Sequence, residues 1–222
     1  MIQAVVFDLD GTLVDSFEDI AAAVNHAIAL VGKPPLSLDT IKTKVGHGLR
    51  NLMIGLQSNE SEEVIEASVR NVKAYYEEHP TDYSYLYPGA LETLEQLKGL
   101  GIRTAVLSNK ADSLVQKIAI NLGFASAMDA VWGHREGMPL KPDPASLQTI
   151  LSELGVSPQS CLIVGDATPD RQLAERAGCH FCAVSYGQTR REEWEKAGIK
   201  ICVDSLRELP PITNLPFQAP PD

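Results

Sequence analysis

The chain has 222 residues, of which 44% are hydrophobic and 22% are charged, and its formal net charge is -10 with a sequence pI of about 5.0. This composition is that of an ordinary globular protein with enough apolar residues for a packed core. The acidic balance argues against binding to nucleic acid or to an anionic membrane surface. No stretch approaches the roughly 18 uninterrupted apolar residues of a membrane span. We therefore expect a cytoplasmic protein with no nucleic acid, no membrane and no obligatory protein partner.

Apolar runs and helical patterns alternate along most of the chain. Buried strands are predicted at residues 2–9, 102–107, 130–132, 161–164 and 181–184, with a weaker one at 199–203. Helices are predicted between them at residues 89–100, 113–122, 144–154 and 169–177. Such alternation predicts an α/β fold, a doubly wound parallel sheet of the Rossmann-like type with helices on both faces.

One segment breaks this alternation. Residues 16–79 contain helical patterns and no convincing strand. We therefore predict a small all-helical domain at residues 16–87, inserted after the first strand of a core made of residues 1–15 and 88–222. The proline-rich end, residues 210–222, is predicted to be irregular.

The strongest chemical signal is Asp8-Leu9-Asp10-Gly11-Thr12, at the end of the first predicted strand. Open α/β sheets bind ligands at the carboxyl ends of their strands, and Gly11 allows the backbone to turn sharply there. Neighbouring acids repel one another unless a cation or a shared proton relieves the repulsion. Mg²⁺ does so with oxygen ligands and often bridges to a substrate phosphate. The alternative is an acidic turn that only caps the next helix.

Residues 8–16 resemble the first motif of the haloacid dehalogenase superfamily, in its phosphatase branch. Three later segments resemble the other motifs of that family in the expected order: Ser108-Asn109-Lys110, Lys141-Pro142-Asp143-Pro144, and Gly165-Asp166 with Asp170. The resemblance spans nearly the whole chain, and the helical insert takes the place of the cap domain of that family. It implies a Mg²⁺-dependent phosphatase that forms an aspartyl-phosphate.

The resemblance assigns a role to each acid. Asp8 is the expected nucleophile. Asp10 is the expected general acid and then base, and its backbone carbonyl is an expected metal ligand. Asp8 and Asp166 are the other expected metal ligands, with Asp170 as a supporting or water-mediated ligand. Without the resemblance, Asp166 and Asp170 could simply cap a helix N-terminus.

Other residues are expected to bind the substrate phosphate. Ser108 sits between a strand end and a helix, where its hydroxyl and nearby N–H groups can bind phosphate oxygens, although Ser108-Asn109 could also be an ordinary turn. Lys141 is expected to offset the negative charge of Asp8 and phosphate, although Lys-Pro alone would suit a solvated loop. Gly11, Thr12 and Asn109 complete this predicted phosphate-binding set. The family often has Ser or Thr after its last aspartate, whereas this chain has Ala167.

Within the superfamily, residues 45–50 and 141–147 resemble those of the phosphoglycolate phosphatase group. A Gly-His-Gly loop opening a helix can present N–H groups and a cation to an anion. We therefore predict that His47 and Arg50 bind a substrate carboxylate, with 2-phosphoglycolate, a small phosphorylated metabolite, as first candidate. The alternative is a solvated basic helix face without a ligand.

Two other functions stay open. A phosphosugar mutase of the β-phosphoglucomutase type shares the catalytic residues, but such mutases usually have a different residue in place of Thr12. A non-catalytic binding module would be expected to lack the nucleophile, the acid or the lysine, and Asp8, Asp10 and Lys141 are all present.

Overall fold

The computed structural model describes residues 1–214. Its strands, in chain order, are β1 (Ala4–Phe7), β2 (Val14–Asp15), β3 (Tyr85–Leu86), β4 (Arg103–Ala111), β5 (Ala130–His134), β6 (Cys161–Gly165), β7 (His180–Val184) and β8 (Cys202–Val203). Its helices are α1 (Phe17–Leu30), α2 (Leu38–Lys42), α3 (Leu49–Leu56), α4 (Glu62–Glu78), α5 (Ala90–Gly99), α6 (Asp112–Asn121), α7 (Ala145–Leu154), α8 (Thr168–Ala177), α9 (Arg191–Lys196) and α10 (Leu209–Ile212).

Six of these strands form one parallel sheet in the order β5-β4-β1-β6-β7-β8. β1 lies between β4 and β6. The chain adds β4 and β5 on one side of β1 and then β6, β7 and β8 on the other. This reversal creates the crevice at the carboxyl ends of the strands in which open α/β sheets bind ligands. The sheet confirms the predicted doubly wound α/β core.

Alternating side chains of the strands pack on opposite faces of the sheet. Val6 and Ile163 belong to a buried cluster with apolar residues of α7 and α8. Val5 and Phe7 belong to a larger cluster that includes residues of α5 and α6. Helices therefore cover both faces, and the ends of the strands stay free to carry polar side chains.

The helices α1 to α4 form a helical segment between β2 and β3. α1 packs against α2 and α4, and α3 packs against α4. β2 and β3 pair antiparallel, with Asp15 opposite Tyr85, so the chain enters and leaves the segment side by side. Buried Asp19 of α1 accepts hydrogen bonds from the backbone N–H groups of Tyr83 and Ser84. The range 16–87 is thus not entirely helical, because β3 lies inside it.

Two short helices lie where none was predicted. α9 follows the loop after β7, and α10 contains the start of the tail that was predicted to be irregular. That prediction is wrong for residues 210–212, because Pro210 and Pro211 lie in the first turn, where a missing N–H costs no intrahelical hydrogen bond. The rest of the predicted tail, from residue 215, lies outside the described residues. Within residues 1–214, no helix combines the length and the apolar character needed to cross a membrane.

Candidate active site

Asp8 lies directly after β1 and is only 6% exposed. The Nζ atom of Lys141 lies 2.8 Å from Asp8 Oδ1 and 2.8 Å from Asp170 Oδ1. Burial lowers the pKa of the Lys141 ammonium, but Asp170 and Asp8 raise it by more, so the net shift of its pKa is upward. Lys141 therefore stays cationic between two carboxylates.

Asp166 follows β6 on the neighbouring strand and is 1% exposed. The hydroxyl of Thr12 donates to Asp166 Oδ1 at 3.1 Å, and the backbone N–H of Gln188 donates to Asp166 Oδ2 at 2.7 Å. Gly11 has a φ of +84°, and a Cβ atom there would lie 2.2 Å from Asp166 Oδ2. Glycine at this position therefore makes room for the aspartate.

Gly11 and Thr12 were predicted to contact the substrate, but their groups are used inside the protein. The N–H of Gly11 donates to the carbonyl of Val14, and Thr12 is fully buried with its hydroxyl on Asp166. Among the described residues, neither belongs to the cavity wall beside Asp8. This arrangement favours a role in placing Asp166 rather than the predicted contact with substrate.

The buried acids form a site that fits a divalent cation. Carboxylate oxygens of Asp8, Asp166 and Asp170 lie within 4.8 Å of one another. Lys141 is the only ammonium group that pairs with this trio within residues 1–214, so the trio keeps a surplus of negative charge. Hard cations such as Mg²⁺ prefer such oxygen ligands. Asp170 also accepts from the backbone N–H of Ala167 at 3.2 Å. This bond uses the backbone, so it does not need the Ser or Thr hydroxyl that the family often has at position 167.

Crowding of these acids changes their pKa values. Burial, helped by the charge of Asp170, raises the pKa of Asp8 from 3.8 to about 7 in the metal-free protein. Burial and the charge of Asp8 likewise raise the pKa of Asp166 well above its usual value. Without a cation, the site holds protons that an exposed carboxylate would release.

Metal-free protein should lose stability as the pH rises. The unfolded chain releases the Asp8 proton near pH 3.8 and the folded protein only near pH 7. Because the folded state binds more protons in this window, the free energy of unfolding should fall by on the order of 1.4 kcal/mol per pH unit for one proton. Mg²⁺ needs ionised ligands, so its stabilising effect should grow over the same window.

Urea unfolding between pH 5 and pH 8, with EDTA or with Mg²⁺, measures both trends. The Asp8→Asn variant is the control, and its metal-free stability should depend less on pH. Metal-free wild-type protein that becomes more stable between pH 5 and pH 7 would contradict this prediction.

Asp10 lies outside the acidic trio and has its own cation. The Nζ of Lys110 lies 2.5 Å from Asp10 Oδ1, and the hydroxyl of Ser16 donates to the same oxygen. Lys110 also donates to the hydroxyl of Tyr76, on α4, at 2.9 Å. Burial lowers the pKa of Lys110, but Asp10 and Tyr76 raise it by more. Sequence reasoning gave Lys110 no role, although it completes the predicted Ser108-Asn109-Lys110 motif.

Ser108 and Asn109 lie in the last part of β4, beside β1. Both side chains line the cavity. The amide of Asn109 accepts from the N–H of Lys141 at 2.7 Å and donates to the carbonyls of Lys141 and Gly46 at 3.0 and 2.9 Å. Asn109 therefore orients the segment that carries Lys141, and its contact with substrate stays a prediction.

A cavity of about 340 Å³ opens beside these residues. Asp8, Asp10 and Ser108 line it from the core, whereas Leu52, Val72 and Tyr76 line it from the helical segment. The cavity thus joins the acids at the strand ends to a largely apolar wall supplied by the helices. Such a chamber suits a small ligand whose charged end faces the core.

The two basic residues that were predicted to bind a substrate carboxylate, Arg50 and His47, lie differently with respect to the cavity. Arg50 lies on the rim of the cavity and pairs with Glu62 and Glu66, the latter at 2.8 Å. His47 is exposed and is not part of the cavity wall as far as the chain is described. Their binding of a substrate carboxylate stays a prediction.

Gln188 is a second residue that sequence reasoning missed. It lies in the loop after β7, whose carboxyl end shares an edge of the sheet with those of β1 and β6. Open α/β sheets bind ligands at the carboxyl ends of their strands, and this rule applies to β7 as well as to β1 and β6. The loop carries no acid or cation next to Gln188 in the sequence to draw attention to it.

The sequence also matches known proteins. The model of the haloacid dehalogenase-like hydrolase family matches residues 5–184. A phosphoglycolate phosphatase of Pseudomonas putida is 32% identical over 93% of this chain and 78% of its own length. One from Chromobacterium violaceum is 33% identical over 94% of this chain and 95% of its own length.

A solved structure agrees with these matches. The crystal structure of a predicted phosphoglycolate phosphatase from Haemophilus somnus is 30% identical, with a TM-score of 0.88 over 96% of this chain and 98% of its own. The matched residues include Asp8, Ser108 and Asp166. The chain therefore belongs to the haloacid dehalogenase-like hydrolases and is a phosphatase of that family.

Proposed function

We propose that this protein hydrolyses a small phosphomonoester by transferring the phosphoryl group to Asp8 and then to water. The observation that carries the proposal is the placement of Asp8, a buried carboxylate on the cavity wall with Lys141 2.8 Å from its Oδ1. A positioned carboxylate can act as a nucleophile. Lys141 offsets the negative charge that the nucleophile and the phosphoryl group bring together.

In the first step, an oxygen of Asp8 attacks phosphorus, and the bond from phosphorus to the ester oxygen breaks. Protonated Asp10, which also lines the cavity, gives its proton to the departing oxygen. The products are an alcohol and an acyl phosphate on Asp8.

In the second step, ionised Asp10 takes a proton from a water molecule as the oxygen of that water attacks phosphorus. The bond from phosphorus to Asp8 breaks, phosphate leaves, and both acids return to their starting states. Lys110 and Ser16 hold Oδ1 of Asp10 in place through the cycle. The helical segment covers the cavity and limits the access of bulk water.

We propose Mg²⁺ as the cofactor, held by Asp8, Asp166 and the backbone carbonyl of Asp10, with Asp170 in support. The acidic trio supplies the oxygen ligands that such an ion prefers. Bound Mg²⁺ would supply positive charge beside the phosphoryl oxygens. The hydroxyl of Ser108, on the cavity wall, would donate to another phosphoryl oxygen.

The first candidate substrate is 2-phosphoglycolate, because relatives 32% and 33% identical carry the name phosphoglycolate phosphatase. The predicted partners of its carboxylate are His47 and Arg50. Arg50 already binds two glutamates, so it would have to share its guanidinium or release one of them. Lys110, a buried cation of β4, lines the same cavity.

Phosphate release from a panel of esters tests the proposal. With Mg²⁺, the protein should release phosphate from 2-phosphoglycolate, and EDTA should abolish the reaction. Ethyl phosphate is the matched control because it lacks the carboxylate, and its kcat/KM should be lower by at least about tenfold, as expected for one lost charge-assisted hydrogen bond. Equal values would show that the carboxylate is not recognised.

Two outcomes would overturn the proposed reaction. Conversion of β-glucose 1-phosphate to glucose 6-phosphate without free phosphate would indicate the mutase. Folded protein that hydrolyses no ester in the presence of Mg²⁺ would indicate a binding module.

A further inference from the structure

The loop after β7 is tied to Asp166 by two hydrogen bonds. The backbone N–H of Gln188 donates to Asp166 Oδ2 at 2.7 Å, and the N–H of Thr189 donates to the Asp166 carbonyl at 3.1 Å. A Cβ atom at Gly187 would lie 2.3 Å from Asp166 Cβ. The loop therefore packs directly against Asp166, and the position of the loop sets where the N–H of Gln188 points.

The side chain of Gln188 extends away from Asp166 to the helical segment. Its Nε2 donates to the carbonyl of Lys42 at 2.7 Å and to that of Val45 at 3.3 Å. Both carbonyls lie at or just after the end of α2, where the regular helical hydrogen bonds stop, and the carbonyl of Lys42 also accepts from the N–H of Val45 at 3.2 Å. One residue thus contacts the acid through its backbone and the helical segment through its side chain.

The side chain of Asn109, on the core, also contacts this part of the helical segment, at Gly46. Its Nδ2 donates to Gly46 and to Lys141. Gly46 has a φ of +103°, and a Cβ atom there would lie 3.6 Å from the Cβ of Ala167. Residues 42–46 therefore rest directly on the core, and the two amides that hold them also contact Asp166 and the Lys141 segment.

We propose that Gln188 is a positioning residue that couples the docking of residues 42–46 onto the core to the placement of Asp166. When these residues are docked, the side chain of Gln188 is fixed and its backbone N–H holds Asp166 Oδ2. When they move away, the loop loses the two hydrogen bonds of the Gln188 side chain. The N–H of Gln188 is then no longer held in place beside Asp166. The coupling rests on the proposed function, in which Asp166 binds Mg²⁺.

The Gln188→Ala variant tests this coupling because it removes both side-chain bonds and keeps the backbone N–H. Gln188→Glu keeps the length but cannot donate to the two carbonyls, and Gln148→Ala, an exposed position on α7, is the matched control. Hydrogen exchange of amides 42–48 should become faster in both Gln188 variants and stay unchanged in the control. Hydrogen exchange can be measured without any phosphatase activity.

Mg²⁺ alone is the second probe. The concentration that gives half of the Mg²⁺-dependent rise in melting temperature should increase in Gln188→Ala, but by less than the roughly tenfold expected for complete loss of such a donor, because the donor to Asp166 stays but is less well placed. In the active enzyme, kcat/KM should fall about tenfold, as expected for two lost neutral hydrogen bonds. Gln148→Ala should change neither quantity.

Unchanged exchange at residues 42–48 would overturn the proposed contact. Faster exchange with unchanged Mg²⁺ response would overturn the coupling, since the side chain would then hold the helical segment without acting on Asp166. A wild-type protein that hydrolyses no ester would refute the proposed function, and the exchange and Mg²⁺ measurements would still decide the coupling.

Discussion

Replacing Asp8 by asparagine is expected to lower kcat by at least about 10³-fold, as expected for loss of a covalent nucleophile. The amide keeps the shape of the side chain but is a poor nucleophile towards phosphorus. Lys141 would lose one of its two carboxylate partners, and Asp170 would still hold it. Steady-state phosphate release with Mg²⁺ measures the effect.

Loss of folding cannot explain that result if stability is measured in parallel. The raised pKa of Asp8 means that its charge is costly in the metal-free site. Asp8→Asn should therefore be at least as stable as the wild type in EDTA at pH 8. Asp39→Asn, an exposed position on α2, is the control and should keep full activity. Turnover above a tenth of the wild-type value in Asp8→Asn would contradict the assignment of the nucleophile.

Replacing Asp10 by asparagine should have an effect that depends on the leaving group. For an alkyl ester the departing oxygen needs a proton, so kcat should fall by roughly 10²–10⁴-fold. For 4-nitrophenyl phosphate the departing oxygen is stable as an anion, and the first step should be nearly preserved. The second step still needs a base, so the acyl phosphate should accumulate.

The asparagine side chain can still accept from Ser16 and Lys110 through its oxygen, so the local structure should be kept. Rapid-mixing measurements should show a burst of nitrophenol followed by slow turnover. Equal losses for alkyl and aryl esters, without a burst, would contradict the role of Asp10.

The core could be predicted from the sequence because its signals are strong and local. Apolar runs such as residues 161–164 have the length and the β-branched composition of a buried strand, and the acids stand where those runs end. The sheet then brings Asp8 and Asp166 together, because β1 and β6 are neighbours. Position at a strand end singled out Asp8 and Asp10, whereas the resemblance to a known family was needed to assign Asp166 and Asp170 to the site.

The remaining features depend on contacts between distant parts of the chain. Strands of two residues, such as β2 and β3, carry no alternation that a pattern could reveal. Arg50 was predicted to bind substrate because of its charge, and only the folded chain shows that Glu62 and Glu66 already hold it. Gln188 is a polar residue in a loop, and the partners of its side chain lie more than 140 positions away.

The measurement that most directly tests whether Asp8 carries the phosphoryl group is mass spectrometry of acid-quenched Asp10→Asn protein after reaction with 4-nitrophenyl phosphate and Mg²⁺. We predict one phosphoryl group on the peptide that contains Asp8, in an amount equal to the burst of nitrophenol. A burst that leaves this peptide unmodified, or a phosphoryl group on a different residue, would contradict covalent transfer to Asp8.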